Sequence, residues 1–510
     1  MKHFFFIIFF ISIFLLSCSQ EENNDNDPTS TPTAEPTPTP TSIPSSTING
    51  DAQWAKTAVS GNCNTLFNDI EVDISGNIYA VGYLQDNDEV GFEDDVFTQG
   101  AFSGYEENAL LVKYSSEGIT QWARSVTAAE NTSELSGVTT DTSGNIYAVG
   151  EIGGSALFDF GNGVTAQGTY TTFNILLVKY NSEGTAQFAR TVEVGPSLSA
   201  FNCVKVDEDG NIYAAGAING TGIFNFGNSV TAQGSYDSGN NILLVKYNSS
   251  GIAQWAKTVV TGLYQSEFNS MEIDKDGNIL AAGFIYRDDE YDFGNGVTAT
   301  GDYTIGSNIL IVKYDSDGNA LKAITVVVGP NSSEILDVTT DSSGNIFAAG
   351  YISGTGTYDF GNSVTAAGKY TFDNVFLIKY NIDIDAQWAK SVSEAASSSK
   401  LYSLVIEGQG NIYAAGWIYG TDTKNFGNGV TATGLNANTD ILLVAYNSSG
   451  VAQWAKTITA GGIAWFTSVA ISEGNIYAVG STNGGSTFDF GNGATATGTS
   501  SNNIILVNYQ

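Results

Sequence analysis

The run Asn241-Ile242-Leu243-Leu244-Val245-Lys246-Tyr247 leads into Asn248-Ser249-Ser250-Gly251 and then into Gln254-Trp255-Ala256-Lys257. An apolar run of strand length thus meets a tight turn, and a second short run starts at once. Further on, Asp274-Lys275-Asp276-Gly277-Asn278-Ile279 forms another turn, and Gly283 ends the strand that follows it. Both turns place Gly where a hairpin needs positive φ. One such stretch holds parts of four strands and no helical period.

The same pattern returns seven times. Gly-Asn-Ile-aromatic-Ala-small-Gly begins at Gly76, Gly144, Gly210, Gly277, Gly344, Gly410 and Gly474, with Leu280 for the aromatic in the fourth copy. Apolar runs end at Tyr114, Tyr180, Tyr247, Tyr314, Tyr380, Tyr446 and Tyr509. The spacing of 64 to 68 residues exceeds what four strands need. The surplus surrounds a Phe-Gly-Asn motif at Phe160, Phe226, Phe293, Phe360, Phe426 and Phe490, read as an extra hairpin or ordered loop on each unit. Four-stranded units repeated seven times predict an all-β chain folded as a seven-bladed β-propeller over 51–510. A Gln-Trp-Ala-Lys strand at 53–56 precedes the first unit, and the last unit stops one strand short. Pairing the two closes the ring, and an open solenoid would instead need polar caps at both ends.

The quoted stretch resembles the bacterial SBBP-type (seven-bladed β-propeller) repeat family, and the likeness runs over about 51–510. That resemblance implies an exported or surface-attached protein. It names no chemistry, because the family's members are mostly of unknown biochemical role.

The amino terminus reads as a secretory signal over 1–17. Lys2 supplies the positive end, and 4–16 is apolar apart from Ser12. Leu15-Leu16-Ser17-Cys18 resembles the bacterial lipobox, which implies lipidation of Cys18 and palmitate on the mature chain. Two or more acyl chains anchor stably where one does not. Ser19 follows where an Asp favours inner-membrane retention, so the expected location is the bacterial cell envelope at the outer membrane, with either face open. Residues 18–50 read as a tether carrying six of the eight prolines among Thr and Ser. Such a segment buries no core, and its stretch from Pro28 to Pro44 spans on the order of 50 Å at ~3.1 Å per residue.

Composition bounds the chemistry. Asp+Glu 53 against Lys+Arg 19 gives a net charge of -34, which repels phosphates and excludes nucleic acid as the expected partner. The single histidine is His3, inside the signal, so no histidine catalysis or histidine-ligated metal is expected in the mature chain. Cys63 and Cys203 fall in units one and three, which are not neighbours, so no disulfide is expected. The acids ahead of the Gly-Asn turns (Asp73, Asp141, Asp207, Asp274, Asp341, Glu407) read as side chains bonding their own turn, because Gly comes fourth and not sixth as in a calcium loop. No cofactor, metal site or catalytic residue is assigned.

Departures from the repeat mark candidate sites. One position after the second strand reads Tyr83, Glu151, Ala217, Phe284, Tyr351, Trp417, Ser481. Tyr83, Phe284, Tyr351 and Trp417 are the candidate binding face for a protein or carbohydrate ligand. Two acidic loops, with Asp86, Asp88, Glu93, Asp94 and Asp95 in unit one and Asp288, Asp289 and Glu290 in unit four, are candidates for a cation or a basic partner. The favoured function is a lipid-anchored binding or interaction module, with a non-enzymatic role preferred. The alternatives are a glycan-active enzyme of the envelope or environment, and a passive structural or shielding surface protein.

Overall fold

The computed structural model describes residues 48–104, 106–408 and 410–510. The signal, Cys18 and the tether as far as residue 47 lie outside the described residues. Among those described there is no helix long and apolar enough to cross a membrane.

The chain enters on strand β1 (Ala52–Lys56) and then builds blade 1 from β2 (Thr65–Val72), β3 (Ile78–Gln85), β6 (Glu107–Tyr114) and β7 (Thr120–Ser125). Between β3 and β6 it inserts a separate two-stranded hairpin, β4 (Glu89–Gly91) with β5 (Phe97–Gln99). The same plan gives blades 2 to 7 over 133–190, 199–257, 266–324, 333–391, 399–456 and 464–509. Each blade is an antiparallel four-stranded meander. Its first strand contacts the first strands of both neighbouring blades, so seven such strands ring a central channel. The protein is a seven-bladed β-propeller.

Both faces of each blade are apolar, so each face is buried against the next blade. Tyr79, Val81 and Leu111 of blade 1 pack on Leu135, Ile146 and Ala148 of blade 2, and six equivalent seams complete the core. Each such Leu, Ile or Val side chain contributes about 1.5–3 kcal/mol. Every first strand carries a bulge, as between Phe67 and Asp69, which throws the preceding carbonyl towards the second strand. A Cβ on Gly82 would lie 2.0 Å from Leu66 O, and the matching glycine of every other blade is as crowded. That bulge explains the last glycine of the repeated marker.

The ring closes as the sequence reading expects. Ala52–Lys56 pairs with Asn502–Tyr509 and supplies the fourth strand of blade 7. Ile48 to Asp51 also occupy the place where other blades have their last turn. Gly50, at φ +74°, lies 2.8 Å from the Trp454 ring if given a Cβ, just as Gly251 crowds Phe188. Trp454 Nε1 donates to Ile48 O at 3.0 Å, and Lys456 pairs with Asp51 at 3.1 Å.

The extra hairpin runs beside the outer strand of its own blade. Its tip asparagine donates to the first carbonyl of that strand: Asn162 to Ala186 O, Asn228 to Ala253 O, and Asn492 to Ala52 O at 3.0 Å. The surplus residues therefore cover part of a sheet edge that would otherwise be open to pairing. Each hairpin is clipped at its root by a buried residue opening the third strand. Asn174 accepts from the amides of Thr169 and Tyr170 and donates to Gly154 O. Asp440 takes this place in blade 6 and accepts from Leu435 and Asn436.

Deleting residues 48–56 is expected to remove the single cooperative unfolding transition in scanning calorimetry and to produce oligomers through the open edge of blade 7. Asn492→Ala is expected to lower stability by about 1 kcal/mol in a denaturant titration.

Candidate functional site

The two ends of the ring differ. One end carries the tight turns, and the other carries the hairpin roots and the blade-to-blade connections. At the turn end, Asp73 accepts from the amides of Ser75 and Asn77, from Asn77 Nδ2, and from Tyr79 OH at 3.0 Å. The repeated turn acids thus bond their own turns. The strand lysines lie over the same aromatic rings, with Lys179 Nζ 4.9 Å from the Tyr147 centroid and Lys246 Nζ 5.0 Å from that of Tyr213. Arg124 and Arg190 in the outer strands donate to turn carbonyls of the following blade, Gly184 O and Gly251 O. These repeated cations are blade-to-blade fasteners. Some reach acids, as Lys322 does with Asp385, but carbonyl oxygens and ring faces take most of them.

At the hairpin end, each position singled out after the second strand pairs with the second residue of the first strand. The pairs are Tyr83 with Leu66, Glu151 with Glu134, Phe284 with Glu267, Tyr351 with Glu334 and Trp417 with Lys400. Tyr83, Phe284, Tyr351 and Trp417 are all half-buried. Lys400 Nζ covers the Tyr351 ring at 3.9 Å and pairs with Asp373 at 3.1 Å. Phe284, Tyr351 and Trp417 occupy consecutive blades, whereas Tyr83 is separated from Trp417 by blade 7 with its buried Ser481. Exposed apolar side chains occur on these three consecutive blades and on the connection leading into them: Leu263, Ile305, Phe372 (64% exposed), Tyr419 and Leu435. Only the pattern of the hairpin loops, which varies from blade to blade, could have pointed to them.

The acidic loops lie on blades 1 and 4, which are not neighbours, and much of their charge is already engaged. Asp86 accepts from Asn87 and Gly104, Asp94 from Thr120 N, and Asp289 from Leu263 N. Glu93 pairs with Lys56 across the closing seam. Asp88, Asp95, Asp288 and Glu290 stay on the surface. Among the described residues no three acids, cysteines or histidines are grouped so as to hold a metal ion. Cys63 and Cys203 are free thiols, both raised by burial, Cys63 to about 11.

The channel itself is a cavity of about 350 Å³ lined by the seven first strands. Sequence reasoning assigned nothing to it. At the bulge, a belt of hydrogen bonds ties the blades. Asp69 of blade 1 accepts from Val138 N at 2.9 Å and from Ser468 Oγ of blade 7 at 2.7 Å. Asp337 of blade 5 accepts from Ser270 Oγ of blade 4 at 2.7 Å and from Leu404 N of blade 6 at 2.8 Å. Two residues further along, the ring reads Glu71, Thr139, Lys205, Glu272, Thr339, Val405, Ala470. Lys205 Nζ lies 3.3 Å from Glu272. Glu272 first, against the opposing effect of burial, holds the Lys205 ammonium above its ordinary pKa.

Burial pushes the carboxyls of this interior upward. Glu71 rises to about 7 and Asp337 to about 6, with Asp69 moved the same way; hydrogen bonds to the two aspartates and Lys205 near all three oppose the rise only in part. Glu134 and Glu151 are paired across strands at the hairpin mouth, and burial raises each to about 7; a hydrogen bond from Asn68 opposes the rise of Glu134 and Glu107 adds to it, while Glu134, Glu107 and Glu267 add to that of Glu151.

No family model matches the chain. An uncharacterised WD repeat-containing protein of Acanthamoeba polyphaga mimivirus is 28% identical over 336 residues, which is 55% of this chain. The chain's match spans about a quarter of that relative's length, 24%. Among solved structures, the virginiamycin B lyase of Staphylococcus aureus aligns over 90% of this chain and 99% of its own at 7% identity and a TM-score of 0.42. The WD40 β-propeller domain of Doa1 aligns over 90% and 97% at 10% identity and 0.43. Likeness of this degree carries nothing about ligand or activity.

The raised carboxyls set the pH dependence of stability. Their folded pKa values exceed the ordinary range near 4, so the native state holds more protons than the unfolded chain between about pH 4 and 7. Stability from these groups is therefore full below the unfolded pKa and lost as pH rises through the folded one. The thermal midpoint is expected to be higher at pH 5.5 than at pH 8, and Glu71→Gln is expected to flatten that difference.

Proposed function

We propose that this chain is a lipid-anchored, extracytoplasmic β-propeller of the SBBP type that acts as a binding module in the bacterial envelope. Cys18 carries the lipid, the Pro/Thr/Ser tether lifts the ring from the membrane, and the hairpin end meets the ligand. The propeller architecture is that of an interaction module. The observation that carries the reading is that blades 4 to 6 each carry, at the hairpin end, an exposed apolar side chain (Ile305, Phe372, Tyr419) as well as a half-buried aromatic one (Phe284, Tyr351, Trp417). Scattered apolar residues are ordinary on a surface, but aromatic groups gathered at one end favour a partner that stacks, a protein or a sugar. No specific observation favours the enzymatic alternative.

Radiolabelled palmitate is expected to enter the wild-type chain and not a Cys18→Ser variant, with the variant moving from the membrane to the soluble fraction. Phe372→Ala with Tyr419→Ala is expected to leave stability within about 0.5 kcal/mol, as for exposed sites generally. The same pair is expected to reduce retention of envelope glycans and proteins on the immobilised chain. Equal retention by the folded double variant would reject the hairpin end of blades 4 to 6 as the binding face.

A further inference from the structure

Glu71 has no structural duty that its repeat position requires. The same place in the other first strands is filled by Thr139, Thr339, Val405 or Ala470 without loss of the fold. Asp69 and Asp337 differ from it, because each ties neighbouring blades through hydrogen bonds. Among the described residues the Glu71 carboxylate makes no hydrogen bond or ion pair of its own. Lys205 is committed to Glu272 and acts on Glu71 only at longer range. A carboxylate held inside a protein without a partner is costly, and burial has already moved this one upward. Next along the channel, towards the turn end, Val72, Ile406 and Ile471 line the same space; each packs in part against a blade-to-blade seam and stays half-buried. An aliphatic collar therefore sits beside a carboxylate with no partner in contact, within a single cavity of about 350 Å³, at the small end of the range for ligand sites.

We propose that the channel binds a small alkylammonium ion, with its head against Glu71 and its aliphatic stem in the collar of Val72, Ile406 and Ile471. An inorganic cation is disfavoured because it needs several oxygen ligands on one centre, and no such group occurs among the described residues. A neutral alcohol fills the collar but leaves Glu71 unpaired. The proposal goes beyond the binding role of the hairpin end and stands whether or not that end has a partner.

The test is calorimetric titration of the full chain carrying Cys18→Ser with ethylammonium, butylammonium and hexylammonium chloride, and with 1-hexanol. Saturable binding is expected for the ammonium ions, strengthening by roughly fourfold for each further methylene buried. Hexanol is expected to bind far more weakly. Glu71→Gln is expected to weaken hexylammonium on the order of tenfold or more, the scale of a charge-assisted hydrogen bond. Ile471→Ser is expected to flatten the chain-length dependence. Binding of hexanol equal to that of hexylammonium, no saturable binding of any ammonium ion, or unchanged affinity in a folded Glu71→Gln variant would overturn the proposal. Should that variant fail to fold, the alcohol comparison and Ile471→Ser still decide it.

Discussion

A blade with two apolar faces has no stable existence alone. The third strand of each unit, such as Asn240–Tyr247, is buried along almost its whole length on both sides. Such a strand needs a neighbouring sheet in front and another behind. An open stack would leave two apolar faces in water, so the requirement is met only when the last blade returns to the first. The contact of Ala52–Lys56 with Asn502–Tyr509 is therefore what every other seam depends on. It also explains why Ile48 to Asp51 copy the geometry of an internal turn. The clamp that blade 6 presents through Trp454 and Lys456 is the aromatic-and-cation pair that blades 1, 2, 3 and 5 also present to their successors, and the entering chain must fit it.

The repeats show how one local network tolerates exchange when its parts change together. In blades 1 to 3 a turn Asp accepts from a Tyr hydroxyl while a Lys lies over the ring. Blade 4 has Leu280 in place of the Tyr, and Lys313 reaches Asp274 directly at 2.8 Å in a nearly dry setting. Burial alone would raise Asp274; Lys313, Asn278 and the turn amides outweigh it and hold the carboxyl below its ordinary value. Blade 7 lacks both charges, with Ser472 and Asn508 at the two places, and Tyr477 turns instead to Ser116 O. In blades 4 and 7 the turn acid and the strand lysine are thus kept or lost together.

The fold was legible because its signals are local and recur. Turn glycines, runs ending in Tyr, and the orphan Gln-Trp-Ala-Lys strand each follow from hairpin chemistry, and the period multiplies them. The hairpin was visible as surplus length around Phe-Gly-Asn, but its task was not, since the reach of Asn162 to Ala186 O appears only once the hairpin lies along the outer strand. Tyr83, Tyr351 and Trp417 were legible as departures from the repeat. Burial of such residues is the ordinary expectation, but the neighbours they meet were not legible, because those are set by cross-strand pairing with Leu66, Glu334 and Lys400 next to a bulge that no motif announces. The channel was hidden for a related reason. Glu71, Lys205 and Glu272 look in sequence like the outward half of an ordinary alternating strand, and only closure of the ring turns that outward face into an interior.

Closure also decides where the charges of this acidic chain act. Arg124, Arg190, Lys322 and Lys456 are held at seams by carbonyl oxygens, rings or single carboxylates, and Lys205 is inside the channel. The cations thus serve the assembly of blades, and many acids remain on loops and turns. With a net charge of -34, the field outside the ring is more one-sided than the composition alone implies. A cationic group approaches either mouth down that gradient and meets further carboxylates inside, whereas an acidic polymer must overcome repulsion before any aromatic contact forms. At physiological salt this bias reaches only about 8 Å from the surface. It therefore governs which ligands enter the mouths of the ring more than which ones arrive from a distance.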